Sequence, residues 1–322
     1  LEGAPYVPNR NSPLIYIITG AVFYFIVWPL VKAIPSFGTV AYTGWSLMIA
    51  GLCLAIWKSW KFEAGRGLLG WALLALLFPL FTMASIGFLS YGASALILIF
   101  TFAASFYKPR WKVILGGILM VYLGLSLFVT YLRDREELRQ MVWYDKPSLA
   151  TRVGQVYKNM TNFEFLDLTS DVHLKRIDSR MNQNLLVGKS IAYIANGNKD
   201  LARGETIWQA VIAVVPRFIW RDKPVYGGSG DLVSEYTGLV FAEGTSVGIG
   251  HVMEFYINYG AMGVWVGFIL LGALVTFFDA AAANSLARNH WPNFIFWFIS
   301  GIGFMHVGGS LVEATSTIIS AM

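Results

Sequence analysis

The sequence predicts an all-α, polytopic integral membrane protein of about seven to eight transmembrane helices, with one large helical loop outside the membrane. Three observations carry that expectation. Hydrophobic residues make up 56% of the chain and charged residues 13%, against roughly 25% charged in ordinary globular proteins. The 23 Phe, 15 Tyr and 12 Trp, with a mean hydropathy of +0.57, are too many for a water-facing surface, whereas lipid solvates them. The apolar residues also fall in runs of spanning length, and the charges gather in one long insert, residues 133–252.

Leu14 to Ile34 is the first such run, and Pro35, Ser36 and Phe37 read as a tight turn from which Thr39 to Trp57 returns. Leu68 to Ile86 and Ala93 to Tyr107 pair across the short GFLSYG turn, and Val113 to Leu132 follows. Beyond the insert, Phe255 to Phe278 and Phe294 to Met305 are further spans. Val307 to Met322 is a more polar stretch, re-entrant or incomplete. The expected organisation is an N-terminal bundle of five spans at residues 1–132, a loop domain at 133–252 and C-terminal spans at 253–322. The opening LEGAPYVPNR has no initiator Met and no signal-peptide pattern, and the chain stops straight after an apolar run; both ends read as cut from a longer protein.

Orientation follows from lysine and arginine in the short loops, because basic residues are retained on the cytoplasmic side. Lys58, Lys61 and Arg66 mark one loop as cytoplasmic, and Lys108, Arg110 and Lys112 mark another. The turns at Pro35 to Phe37 and Gly87 to Gly92 have no basic residue and read as external. The N-terminus of this stretch is then cytoplasmic, the insert lies on the outer face, and Arg288 returns to the cytoplasm. Trp57, Trp60, Trp111 and Trp291 stand where interfacial aromatics belong. Cys53 is the single cysteine, so the large loop is held by packing alone. The net charge of +5 is accounted for by the cytoplasmic loops and the insert, and calls for no nucleic-acid partner.

Within the insert, Ser170 to Ala195 reads as one helix, with Val172, Ile177, Met181, Leu185 and Ile191 near one face. Glu205 to Val215 reads as a short helix ending at Pro216, since the residue before a proline resists the α region. Tyr226 to Gly250 is glycine-rich, and GGSG and GTSVGIG signal loops.

Several chemistries are absent from the pattern. There is no GxxxxGK[ST] loop for nucleotide phosphates and no GxSxG elbow. Cys53 with His173, His251, His290 and His306 gives no zinc-ligand spacing, so no metal is expected. Glu313 and His306 stand out in the last apolar stretch without a role that the sequence assigns.

Two constellations carry the functional reading. The first is basic: Lys175, Arg176 and Arg180 on one helix, the last two at i, i+4, then Arg203, Arg217, Arg221 and Lys223. Guanidinium groups bind phosphate oxygens in bidentate fashion, and near the outer headgroup layer a lipid pyrophosphate is a ligand that needs them. The competing reading pairs each with Asp171, Asp178, Glu205, Asp222 or Asp231. The second is His251 and Glu254, three residues apart at the mouth of a span, with Tyr256 beyond. Either can take a proton from an attacking hydroxyl; the competing reading is that Glu254 complements a helix N-terminus and His251 is an interfacial polar residue.

GETIWQAVIAVVPRFIWRDKP, Gly204 to Pro224, resembles a segment of the oligosaccharide repeat-unit polymerases, the O-antigen polymerase (Wzy-type) group, in which a proline–arginine pair precedes a tryptophan and an aspartate–lysine–proline. RIDSRMNQ from Arg176, SVGIGHVMEFYINYGAMG from Ser246 and the basic turn before Val113 fit the same pattern, so the resemblance covers most of the chain from about Tyr91 onward. Arg221 departs from it, standing where a proline is usual, and so does Tyr91–Gly92, where a basic residue or serine is often seen. The resemblance implies an inverting integral-membrane glycosyltransferase of the bacterial cytoplasmic membrane with a periplasmic loop. Its donor would be an undecaprenyl-pyrophosphate glycan and its acceptor a sugar hydroxyl on a second lipid-linked unit, with no cofactor. It matches Arg217, Asp222 and Lys223 to the specific element and Arg180 to the arginine of the preceding helix. The partners it implies are lipid-linked oligosaccharide, membrane lipids, and a chain-length regulator or other membrane subunits. The alternatives are an O-antigen ligase, which shares the donor, and a non-catalytic membrane subunit.

Overall fold

The computed structural model describes residues 12–31, 41, 43–63, 65–215, 220, 222–224, 228–241, 247–304 and 308–321, and within them the chain is all-α. The expected turn at Pro35 to Phe37, together with Pro216, Arg217, Arg221 and His306, lies outside the described residues. Among the described residues, four helices are long and apolar enough to cross a membrane: α1 (Ser12–Val31), α3 (Leu68–Ile86), α5 with the turn after it (Arg110–Asp145) and α11 (Gly250–Ala287). The remaining helices are α2 (Gly44–Phe62), α4 (Ser90–Phe106), α6 (Leu149–Thr161), α7 (Asp171–Met181), α8 (Asn184–Ala195), α9 (Glu205–Ala213), α10 (Ser229–Thr237), α12 (Trp291–Phe304) and α13 (Leu311–Ala321). This is the architecture of a multi-pass membrane protein, because backbone N–H and C=O groups in lipid must be satisfied within the helix itself.

The chain separates into two compact units. One comprises Leu1–Gly51 and Gln183–Met322, the other Leu52–Asn182.

In the second unit, α3 and α4 are joined by a turn that the start of the insert clamps. Gly87 ends α3 in the left-handed region at φ +77°. Its carbonyl accepts from the Tyr131 hydroxyl at 2.9 Å, and the neighbouring Ile86 carbonyl accepts from Trp143 Nε1 at 3.0 Å. Gly92 sits directly on the Phe78 carbonyl and the Pro79 backbone, so only a residue without a Cβ fits there. A core of Met83, Ala84, Leu89, Tyr131, Leu138 and Val156 joins α3, α5 and α6. The helix expected to end near Leu132 runs on to Gln140 and carries the first residues of the insert with it.

In the first unit, α8, α10 and the start of α11 close on Val233, Tyr236, Ile249, Met253 and Ile257. α11 is broken: Tyr259 (φ −140°, ψ 23°) and Gly260 (φ 62°, ψ −153°) are not helical. Before the break the arm is buried at His251, Met253, Glu254, Phe255, Ile257 and Asn258. Beyond it, Met262, Trp265, Ile269 and Leu270 are exposed, as a lipid-facing helix requires. α11 then packs along α12, where Phe278 meets Trp297 and Phe304.

Two expected elements differ. The single helix over Ser170 to Ala195 is α7 and α8, because Asn182 leaves the helical region (φ −88°, ψ 89°) and its Nδ2 donates to Asp178 Oδ1 at 3.2 Å. Asparagine competes with the backbone in this way and favours helix ends. The loop expected over Tyr226 to Gly250 contains α10, whose first turn is held by Asp231 Oδ2 accepting from the Gly228 N–H at 3.0 Å.

Candidate functional site

The buried arm of α11 organises the polar heart of the first unit. Asn258 Nδ2 donates to the Thr206 hydroxyl and to the Glu254 carbonyl, both at 2.7 Å, and Asn258 Oδ1 accepts from the Gly204 N–H at 2.9 Å. The Ala202 N–H reaches the Ile257 carbonyl at 2.8 Å, and the Tyr259 hydroxyl reaches the Arg203 carbonyl at 3.3 Å. Gly204 holds φ +94° directly against the Tyr259 hydroxyl, a place no side chain can share. Through these bonds one asparagine fixes the start of α9 to α11.

One helical turn earlier sits Glu254, fully buried. Its Oε2 accepts from the Leu311 N–H at 2.7 Å, at the first residue of α13, where a carboxyl oxygen meets the unpaired N–H groups of a helix start. Oε1 is buried without a partner at hydrogen-bonding distance among the described residues. Glu313 is a second carboxylate at the same helix start. Its Oε2 accepts from the Ser310 N–H at 3.2 Å while Ser310 Oγ accepts from the Glu313 N–H at 3.2 Å, a reciprocal capping box. Its Oε1 accepts from the Ser229 hydroxyl at 2.7 Å and the Ser229 N–H at 3.3 Å, at the start of α10. His251, 1% exposed, lies one turn before Phe255, and their rings are 6.2 Å apart. The i, i+3 pair expected to face a substrate is therefore interior, and Glu254 holds α13.

The other sequence-predicted residues of this unit take varied roles. Lys223 Nζ donates to the Ala213 and Val215 carbonyls, each at 2.9 Å, so its charge caps the end of α9. Arg203 is exposed with φ 47°, Asp222 is exposed, and Tyr256 is half-buried. Arg217 lies outside the described residues.

Arg176 and Arg180 belong to the second unit. Arg176 Nη1 lies 3.5 Å from Glu164 Oε2, and the same glutamate takes Arg133 at 2.6 Å and His173 at 3.5 Å, so Arg176 follows the ion-pair reading. The entry to α7 is set by Asp167, whose Oδ1 accepts from the Thr169 N–H at 2.8 Å and hydroxyl at 2.7 Å. Those bonds hold its carboxyl below the usual range.

Arg180 has different company. Its guanidinium is held below its ordinary pKa, first by partial desolvation and next by the charge of Arg135. Arg139 feels both Arg135 and Arg180 and faces the Tyr131 hydroxyl. The Arg139 guanidinium lies over the Phe88 ring at 4.5 Å and the Trp143 ring at 5.0 Å, and its Nε is buried without a hydrogen-bond partner among the described residues. No carboxylate forms an ion pair with Arg135, Arg139 or Arg180 among the described residues. Three cations that act on one another, none in an ion pair among the described residues and one over two aromatic rings, are suited to an oxyanion.

Sequence reasoning missed Arg135 and Arg139 because the span was expected to stop at Leu132; the RDREELR run continuing α5 was the signal. It also missed Thr206, Ser229, Asn258 and Ser310. Of these, only Ser310 with Glu313 announces itself, as an S-x-x-E box.

The profile of a family described as a domain of unknown function (DUF8712) matches residues 5–287, which takes in α1 to α11. No curated protein and no solved structure matches the chain.

Proposed function

We propose that this chain, which belongs to the DUF8712 family, is a membrane glycosyltransferase that polymerises lipid-linked oligosaccharide repeat units, binding the donor's pyrophosphate through Arg135, Arg139 and Arg180. The observation that supports the reading is that Arg135, Arg139 and Arg180 act on one another electrostatically while none of them forms an ion pair with a carboxylate among the described residues. The resemblance of Gly204 to Pro224 to the Wzy-type polymerases supplies the substrate class.

In this reading α1 to α5, α11 and α12 span the bacterial cytoplasmic membrane, with α13 as the eighth apolar segment, consistent with about seven to eight crossings. The basic loops after α2 and α4 face the cytoplasm and the insert faces the periplasm, as the lysine and arginine distribution directs. A diphosphate leaving group gains charge as the glycosidic bond breaks. Preorganised guanidinium groups stabilise that charge more in the transition state than in the ground state, which is what lowers a barrier. The acceptor hydroxyl gives its proton to His251 or Glu254. Both are interior, so the α11 arm opens before an acceptor reaches either. Arg203, Arg217, Asp222 and Tyr256 are the remaining candidates for contact with the glycan, and Lys223 supports them by capping α9.

The test is polymer laddering in cells whose only copy carries Arg180→Ala or Arg217→Ala. Short lipid-linked single repeats with no ladder are expected in both. Normal polymer length in both variants overturns the assignment.

A further inference from the structure

α6 carries more apolar surface than its neighbours cover. Its inner side is Val156, Asn159 and Met160, packed with Met83, Ala84 and Leu138 of α3 and α5. Beside that side, Leu149, Val153 and Tyr157 recur every fourth residue and are 51%, 49% and 72% exposed. Residues i, i+4 and i+8 of a helix lie along one stripe. Thr151, Lys158 and Thr161 occupy the remaining face. The same unit exposes Tyr144, Phe165 and Leu168 close by in sequence.

The place of α6 in the fold says what meets that stripe. The helix is fastened to the end of α3: the Arg152 guanidinium donates to the Pro147 carbonyl at 3.0 Å and to the Ser85 carbonyl at 3.5 Å. Ser85 is one residue from the end of α3, a helix whose Leu69, Leu73, Leu76 and Leu77 stand exposed as lipid-facing side chains do. α6 is therefore fastened to the end of a helix that is long and apolar enough to cross a membrane. Lys146 and Lys158, both exposed, bracket the stripe and supply cations for lipid phosphates. An apolar stripe beside a polar face, flanked by lysines and carrying a tyrosine, is the pattern of a helix lying in the interface plane.

We infer that α6 is an interfacial helix, seated in the phospholipid surface with Leu149, Val153 and Tyr157 among the upper acyl chains and Lys146 and Lys158 at headgroup phosphates. The inference is independent of the polymerase reading. It makes the first part of the insert a membrane-bound platform, with α7 and the arginine cluster of the same unit mounted on α5 beside it.

The full-length chain is reconstituted in nanodiscs of phosphatidylethanolamine and phosphatidylglycerol, with Val153→Cys, Tyr157→Cys and Thr151→Cys each labelled by an environment-sensitive dye. Cys53 is buried and does not compete for the label. Acyl chains brominated near the headgroup are expected to quench the dye several-fold more at the first two positions than at the third, with blue-shifted emission. Equal quenching at all three positions overturns the inference. A blue shift that persists in detergent, together with crosslinking to a second copy or a copurifying protein, overturns it in favour of a protein partner. Two independent positions on the stripe keep the test decisive if one variant fails to fold.

Discussion

Asn258 donates to the Thr206 hydroxyl at 2.7 Å with both residues buried, and this bond ties the start of α9 to the interior arm of α11. Asn258 makes two further bonds, so its side-chain amide and carbonyl are both engaged. Asn258→Ala leaves the Gly204 N–H and the Thr206 hydroxyl without that partner. Each buried polar group left unsatisfied costs about 1–3 kcal/mol. A clear fall in the detergent-solubilised Tm is expected, and an unchanged Tm counts against the network.

Glu254 separates two roles. Glutamine keeps an oxygen for the Leu311 N–H but cannot accept a proton as a general base. Glu254→Gln is expected to stay folded, with a Tm near that of the parent, while polymer disappears. Glu254→Leu is expected to lower the Tm as well, since the start of α13 loses its acceptor. Normal polymer from the glutamine variant removes Glu254 from the base's role and leaves His251.

Arg139 is held by the faces of Phe88 and Trp143, a geometry that a planar guanidinium suits better than an ammonium. Arg139→Lys keeps the charge but loses the guanidinium's contact with the two rings and the two-pronged hydrogen bonding. Weaker binding of inorganic pyrophosphate to the purified protein is expected, by about tenfold if roughly 1–2 kcal/mol of cation–π and bidentate contact is lost. Raising the salt concentration should weaken the parent's binding too, because exposed charges are screened. Equal affinities for parent and variant would place the anion elsewhere.

Lys223 caps α9 through two carbonyls, so its removal has a structural signature. Lys223→Met is expected to lower stability by about 0.3–1 kcal/mol, the range for a cation at a helix end. Lys223→Arg should restore most of it. A substrate-only role predicts the opposite pattern: a full Tm with a raised KM.

Asp167 gives a local pH dependence. Its folded pKa is depressed by Thr169, so the contribution to stability is present above the unfolded value of about 3.9 and is lost as pH falls through the folded value. Amide protection at the start of α7, corrected for the pH dependence of intrinsic exchange, should therefore fall under acid conditions below that range and stay constant from there to neutrality. Asp167→Asn should remove the step.

The sequence was most readable where punctuation and periodicity agree. α3 runs from Leu68 to Ile86 as expected, because a leucine-rich run is bounded by Gly67 and Gly87, both in the left-handed region. α10 was hidden by the glycines around it, and its folding depends on Asp231 satisfying the first turn. The closeness of His251 and Glu254 followed from helical spacing, but their burial did not. Glu254 finds its partner in Leu311, 57 residues further along the chain, and no local pattern announces it. Arg180 was visible as a candidate; its companions on α5 were not, because hydropathy marks where lipid ends rather than where a helix does.

The break in α11 also redirects a backbone acceptor. In an unbroken helix the Ile257 carbonyl would pair with the N–H four residues on. With Tyr259 and Gly260 out of helical geometry, that carbonyl accepts from the N–H of Ala202. The helix thus docks a distant segment at its own break. A substitution that healed the helix at Gly260 would redraw the backbone from which the Ile257 carbonyl reaches Ala202, so the break in α11 and the attachment of residues 202–206 are set by the same few residues.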